Sequence, residues 1–77
     1  MKKISKKELR NYISLGLAKN IDCSPLEECR ALNAECDLEK IAYCTGKYGI
    51  SGGLLKDKKT GNKYAITARN TNLFYFF

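Results

Sequence analysis

The residue pattern of this 77-residue chain changes at Gly46, and that change limits the folds available to it. Before Gly46, apolar side chains recur at the three- and four-residue spacing of amphipathic helices. After Gly46, they alternate with smaller or polar residues, which is typical of half-buried strands. A chain this short makes one domain around one small core. We therefore expect an α+β fold, in which two or three short helices from residues 1–45 pack on a three-stranded antiparallel β-meander from residues 46–77.

The first helix has a clear start. Ser5 and Glu8 have the spacing of a capping box, and Ile4 and Leu9 fit a hydrophobic staple across it. The pattern predicts that the helix ends near residues 19–20. Its apolar stripe would consist of Leu9, Tyr12, Ile13 and Leu17.

The second helix is predicted from Ser24 as the cap, Pro25 at the first helical position and Glu27 as the second half of a capping box. It would end near Asn33. Its inward residues would be Leu26, Cys29 and Leu32.

A third short helix is predicted over residues 37–44, because Asp37 suits a cap and Gly46 suits a C-terminal stop. The run 41–44 is also compatible with the beginning of a strand.

The C-terminal half predicts a β-hairpin followed by one more strand. Alternating residues at 48–54 and 63–68 flank the turn-forming run 57–62. Gly52 and Gly53 interrupt the first of these strands, which indicates a bulge or a close backbone approach. The run 73–77 has high strand propensity and carries aromatic residues on both faces. Helices or loops would cover both faces, or one face would be a contact surface.

Charge is sorted into three blocks along the chain. Residues 1–20 have a net charge of +5, residues 21–39 of −5 and residues 40–77 of +6, for a total of +6. Segregated charge of this kind bears on partners and association. It favours a protein that binds a charged macromolecule.

The search for catalytic chemistry finds little. The chain has no histidine, which is the commonest general base, and no nucleotide-binding or nucleophile motif. No short cysteine knuckle of the kind that holds zinc is present. We expect no enzymatic activity, no cofactor and no metal, and we interpret the cysteines as small, mostly buried thiols. These are Cys23, Cys29, Cys36 and Cys44. With no apolar run of membrane-span length and no secretory signal, we expect a cytoplasmic location.

The C-terminal half also resembles short proteins of phages and prophages from low-GC Gram-positive bacteria, over about residues 41–77. The resemblance lies in Tyr48-Gly49-Ile50-Ser51-Gly52, Leu54-Leu55, Asp57, Thr60-Gly61, Tyr64-Ala65-Ile66-Thr67, Arg69-Asn70 and Leu73-Phe74. It implies a small accessory protein of a mobile element. Such proteins often bind and block a host factor, including defence nucleases.

These observations lead to two hypotheses of function. The first is a non-enzymatic inhibitor or modulator that occludes a host protein or nucleoprotein, with possible dimerisation through the C-terminal strand and no membrane partner. Its contact residues would be Lys6, Lys7, Arg10, Phe74, Tyr75 and Phe76. The alternative is a small basic regulator that binds nucleic acid. Its contact residues would be Lys56, Lys58, Lys59, Lys63 and Arg69.

Overall fold

The structure is a computed structural model that describes residues 2–21, 26–47 and 49–66. In chain order, the elements are β1 (Lys2–Lys3), α1 (Lys6–Ser14), β2 (Lys19–Ile21), α2 (Leu26–Glu35), β3 (Leu38–Gly46), β4 (Gly49–Asp57) and β5 (Lys63–Ile66). The strands form one mixed sheet in the order β1-β3-β4-β5-β2. β4 runs antiparallel to β3 and β5, whereas the short edge strands β1 and β2 pair in parallel with β3 and β5.

The two helices cover opposite faces of the sheet. Leu9 of α1 packs in one apolar cluster with Leu54, whereas Cys29 of α2 packs in a second cluster with Leu55 and Ile66. Successive residues of a strand point to opposite faces, so the adjacent pair Leu54 and Leu55 separates the two clusters. The described part of the chain is therefore a three-layer arrangement with the sheet in the middle.

The expected α+β class is confirmed, and so is the hairpin formed by β4 and β5. The sheet differs from the predicted three-stranded antiparallel meander. Its described part has five strands of mixed direction, and three of them lie within residues 2–46, before β4 begins. The predicted strand at 73–77 lies outside the described residues. Neither described helix has the length and apolar character that crossing a membrane would require.

The third helix predicted over residues 37–44 is wrong, since residues 38–46 form β3. The register of β3 against β4 explains the error. Lys40 pairs with Leu55 and Ala42 with Leu54, so Ile41 is an extra residue in a β-bulge. The bulge breaks the two-residue alternation and leaves Leu38, Ile41 and Ala42 at spacings that resemble a helix.

The predicted start of α1 is confirmed by its cap, in which the backbone N–H of Glu8 donates to Ser5 Oγ at 3.1 Å. The predicted end is wrong, because the helix ends at Ser14. Gly16 adopts a φ of 72°, and its N–H donates to the carbonyl of Ile13 at 3.1 Å. This left-handed glycine just beyond the helix is a common C-terminal cap and turns the chain towards β2.

The predicted caps of α2, Ser24 and Pro25, lie outside the described residues. The helix itself extends to Glu35, two residues beyond the predicted end. Cys29 is fully buried and Leu32 is half-buried against the sheet, which places both inward as expected.

The predicted irregularity at Gly52 and Gly53 is confirmed as both a bulge and a close approach. Cys44 pairs with Gly52 and Thr45 with Ile50, so Ser51 is an extra residue in β4. A Cβ added at Gly52 would lie 2.8 Å from the Ile66 carbonyl oxygen. The strand therefore needs a residue without a side chain at this position.

Candidate binding surfaces

The basic helix face is the part of α1 formed by Lys6, Lys7 and Arg10, all of which are exposed. Arg10 is four positions from Lys6 and three from Lys7, so its side chain emerges on the same side of the helix as theirs. Leu9 on the other side is buried and holds the helix on the sheet. The arrangement presents three positive charges to solvent, with Glu8 as the acidic residue of the first turn.

The charges of the basic helix face lower the stability of α1. Lys6 and Lys7 lie in the first turn, where the helix dipole disfavours each cation by about 0.3–1 kcal/mol at low ionic strength. Arg10 adds like-charge pairs at three- and four-residue spacing, each of which costs a few tenths of a kcal/mol. Helix stability therefore does not explain why these residues are basic.

The acidic residues of α2 do not lie against the basic helix face. Exposed Glu27, Glu28 and Glu35 belong to α2, which packs on the opposite side of the sheet. Two helices on opposite faces of a sheet are separated by two packing distances, on the order of 20 Å. Charges that far apart in salt of physiological strength are largely screened from one another, because the Debye length is about 8 Å.

Two leucines just beyond the C-terminal end of α1 are exposed. Leu15 is 71% exposed and Leu17 is 56% exposed. Together with Tyr12, Glu8 and Asn11 they line a shallow depression of about 190 Å³. The prediction that Leu17 belongs to the buried stripe is wrong. The helix ends at Ser14, and Leu17 lies in the turn that follows it. The backbone N–H of Leu17 donates to the carbonyl of Tyr12 at 2.9 Å.

Asp57 organises the turn between β4 and β5. Its carboxylate accepts hydrogen bonds from the backbone N–H of Lys59 and the hydroxyl of Thr60, both at 3.0 Å. The bond from Lys59 is the main cause that lowers the pKa of Asp57 below its ordinary value. The turn is also tied to the connection between α2 and β3, because the N–H of Lys58 donates to the carbonyl of Asp37 at 2.9 Å.

The predicted nucleic-acid contacts that the structure describes lie in or beside the β4–β5 turn and differ in exposure. Lys58 and Lys59 are exposed in the turn, whereas Lys56 and Lys63 are half-buried neighbours on β4 and β5. Lys56 is also in register with Glu39 of β3. Arg69 lies outside the described residues, as do Phe74, Tyr75 and Phe76 of the predicted partner surface.

Lys63 has a defined contact with α1. Its Nζ lies 5.6 Å from the centroid of the Tyr12 ring, within the range of a cation–π interaction. Such a contact in a partly exposed position is worth about 0.5–1 kcal/mol. It restrains the lysine at the edge of a groove.

That groove, which we call the strand-end groove, has a volume of about 640 Å³ and lies at the start of β2 and β5. One wall is the connection from α1 to β2, with Gly16 and Lys19, and the other is the start of β5. The residues of this second wall are Gly61, Asn62, Lys63 and Tyr64. Sequence reasoning missed Lys19 here, because the groove depends on β2, a strand of three residues. It also missed Leu15 and Leu17 as surface residues, although Gly16 is a residue type that commonly ends helices.

Three cysteines are described, and none of them is in a disulfide. Cys29 and Cys44 are buried, as expected for core thiols. Cys36 is half-buried just after α2, where its Sγ lies 3.9 Å from Tyr64 Oη in a long sulfur contact. This contact, followed by burial, raises the pKa of Tyr64. Cys23 lies outside the described residues.

Comparison with protein families, with curated proteins and with solved structures finds no match to this chain.

Proposed function

We propose that this chain is a small, non-enzymatic binding protein that occludes a host protein or nucleoprotein through the basic helix face and the exposed leucines that follow α1. Following the phage-type resemblance, it acts as an inhibitor or modulator in the host cytoplasm, and a defence nuclease is a suitable target. The observation that carries the proposal is the sorting of charge. Basic α1 and acidic α2 occupy opposite faces of the sheet.

The position of α2 supports an external role for the basic residues. On a single face, the acidic helix would neutralise Lys6, Lys7 and Arg10, and their placement would have an internal explanation. Because α2 lies on the other side of the sheet, its acidic residues do not neutralise the basic helix face. An acidic partner surface would offset the electrostatic cost that these residues impose on α1.

The exposed leucines support a protein partner. Binding interfaces combine an apolar centre, which supplies much of the affinity, with a charged rim, which steers the encounter. Leu15 and Leu17 would supply the apolar contacts, and Lys6, Lys7 and Arg10 would supply the charged contacts. The surface thus fits a partner that carries apolar residues surrounded by carboxylates.

A pull-down from nuclease-treated host lysate tests the proposal with two variants of equal charge change. The first, Lys6→Glu/Lys7→Glu/Arg10→Glu, reverses the basic helix face. The control reverses three exposed lysines outside α1, Lys40, Lys58 and Lys59. We expect the wild type and the control to retain the partner and the α1 variant to lose it, with all three showing the same circular dichroism spectrum.

Equal retention by both variants would remove the basic helix face from the interaction. Loss of every partner after nuclease treatment would favour the second candidate function, binding of nucleic acid. That candidate is supported by the two exposed lysines of the β4–β5 turn, Lys58 and Lys59. It predicts binding to DNA or RNA probes that weakens steeply as salt is raised. The absence of a shift on single- or double-stranded probes at low salt would exclude it.

A further inference from the structure

We infer that one acidic peptide segment of the partner binds along the exposed side of α1, with a carboxylate at Lys7 and a large apolar side chain at Leu15. This inference rests on the proposed function and adds to it the chemistry and the spacing of the partner's residues. It also gives a contact role to Asn11, which lies between Lys7 and Leu15 in the sequence.

Lys7, Asn11 and Leu15 form a row along the helix, which we call the outer row. They follow one another at four-residue spacing, so each lies about one turn beyond the last and about 40° further around the helix. Leu15 continues the row although α1 ends at Ser14. It keeps helical dihedral angles, φ −83° and ψ 0°, and its N–H donates to the carbonyl of Asn11 at 2.9 Å. At a rise of about 1.5 Å per residue, the outer row is about 12 Å long.

The outer row faces solvent along its whole length. Lys7 and Asn11 are exposed, and Leu15 is 71% exposed. Buried Leu9 and half-buried Ile13 lie on the other side of the helix, against the sheet. A partner can therefore reach all three residues of the row at once.

The apolar end of the outer row is held in place by hydrogen bonds. Leu17 lines the same depression as Asn11 and Leu15 and is 56% exposed. The turn that carries it is fixed by the N–H groups of Leu17 and Ala18, which both donate to the carbonyl of Tyr12, at 2.9 and 3.1 Å. Because this turn is already ordered, a partner loses little binding energy in fixing it.

The chemistry along the outer row changes from basic to apolar. Arg10 borders Lys7 on one side and Glu8 borders it on the other, so an incoming carboxylate is favoured between Lys7 and Arg10. A large apolar side chain complements the leucines at the other end, because both surfaces would leave water. Between the two ends, the amide of Asn11 can both donate to and accept from a peptide backbone.

The test is an NMR titration at low ionic strength with peptides whose spacing matches the outer row. The main probe is Asp-Asp-Asp-Ser-Ser-Ser-Leu-Phe, in which about four extended residues separate the last carboxylate from the leucine, a distance of about 13 Å. A second peptide has lysines for the aspartates, and a third has serines in place of Leu-Phe. We expect the main probe to shift the backbone amides of residues 7–17 and the other two to bind at least about tenfold more weakly. A four-nucleotide DNA that binds as tightly as the main probe would show general attraction of polyanions and would overturn the inference.

Two variants with the same charge change separate the outer row from the rest of the surface. Asn11→Asp places a carboxylate in the middle of the row and should weaken binding of the main probe about twofold to threefold. Asn33→Asp is the control, because Asn33 is exposed on α2 at the opposite face of the sheet, and it should leave binding unchanged. Leu15→Ser should weaken binding about tenfold through loss of apolar contact. All three positions are exposed, and circular dichroism verifies that each variant folds.

Equal effects of Asn11→Asp and Asn33→Asp, or shifts spread outside residues 7–17, would contradict the inference. Its failure is distinguishable from that of the proposed function. Loss of the partner by the Lys6→Glu/Lys7→Glu/Arg10→Glu variant, without binding of the main probe on the outer row, would overturn this inference alone. Retention of the partner by that variant would overturn the proposed function, whatever the peptides do.

Discussion

Replacement of Gly52 by alanine should destabilise the protein more than a single methyl group suggests. The new Cβ would lie 2.8 Å from the Ile66 carbonyl oxygen, 2.9 Å from Cys44 Sγ and 2.9 Å from Leu9 Cδ2. Each distance is well below the separation of about 3.5–4.0 Å at which such atoms attract. The carbonyl belongs to β5, beside β4 in the sheet, so it cannot move away without disturbing the strand pairing.

The magnitude follows from two opposing effects. Overpacking in a tight core costs about 1–3 kcal/mol, and a clash with backbone belongs at the upper end. Loss of glycine flexibility in the unfolded chain returns about 0.4–1 kcal/mol. We therefore expect a net loss of about 2 kcal/mol, which is a large share of the roughly 3–5 kcal/mol available to a domain of this size.

Urea denaturation followed by circular dichroism measures this loss, with Gly46→Ala as the matched control. A Cβ at Gly46 would meet only the side chain of Ser51, at 3.2 and 3.3 Å, and that side chain can turn away. The control should therefore stay within about 0.5 kcal/mol of the wild type. Adding Cys44→Ala to Gly52→Ala should restore only part of the stability, because the Ile66 carbonyl remains. If Gly52→Ala matches the control, the packing argument is wrong.

The remaining predictions concern two titrating groups, a helix cap and the C-terminal segment. Because the pKa of Asp57 is lowered in the fold, its stabilising effect is full above about pH 4 and is lost as pH falls through the lowered pKa. Asp57→Asn should lack this part of the acid dependence in urea midpoints measured against pH. The raised pKa of Tyr64 has the opposite effect on the pH dependence, because the fold favours the neutral phenol. The wild type should therefore lose stability as pH rises above about 10, and Tyr64→Phe should lose less. Ser5→Ala should cost about 1 kcal/mol through loss of the cap. Ser14→Ala should be nearly neutral, since the Ser14 hydroxyl only bonds back to carbonyls of its own helix. If the C-terminal strand forms a dimer, truncation after Asn72 should convert it to a monomer in analytical ultracentrifugation. A monomeric wild type would contradict the dimer.

Local signals in the sequence predicted the elements that local chemistry determines. The capping box of Ser5 and Glu8 places the start of α1, and the run from Asp57 to Asn62 places the β4–β5 turn. Both depend on hydrogen bonds between residues two or three positions apart. Such bonds form in the same way whatever the rest of the chain does.

Local signals did not predict β1 and β2, because these strands depend on partners that are distant in the sequence. β1 has two residues and β2 has three, which is too short for any periodic pattern. Each exists because a longer strand, β3 or β5, offers its edge to it. The strand-end groove inherits this dependence, since Lys19 approaches Lys63 only through the pairing of β2 with β5. A linear reading of the chain places these two lysines 44 residues apart.

Charge in the sequence and charge on the surface are connected by the path of the chain. The chain leaves β1 at one edge of the sheet, crosses one face as α1 and reaches β2 at the other edge. It then returns across the opposite face as α2 to enter β3, beside β1. The basic residues of α1 and the acidic residues of α2 are thereby carried to opposite sides of the sheet, although the two helices are consecutive in sequence. If both helices packed on one face, the same composition and net charge would give a largely self-neutralised surface. The proposed function therefore depends on the order of the strands, and a measured structure with α1 and α2 in contact would remove its main support.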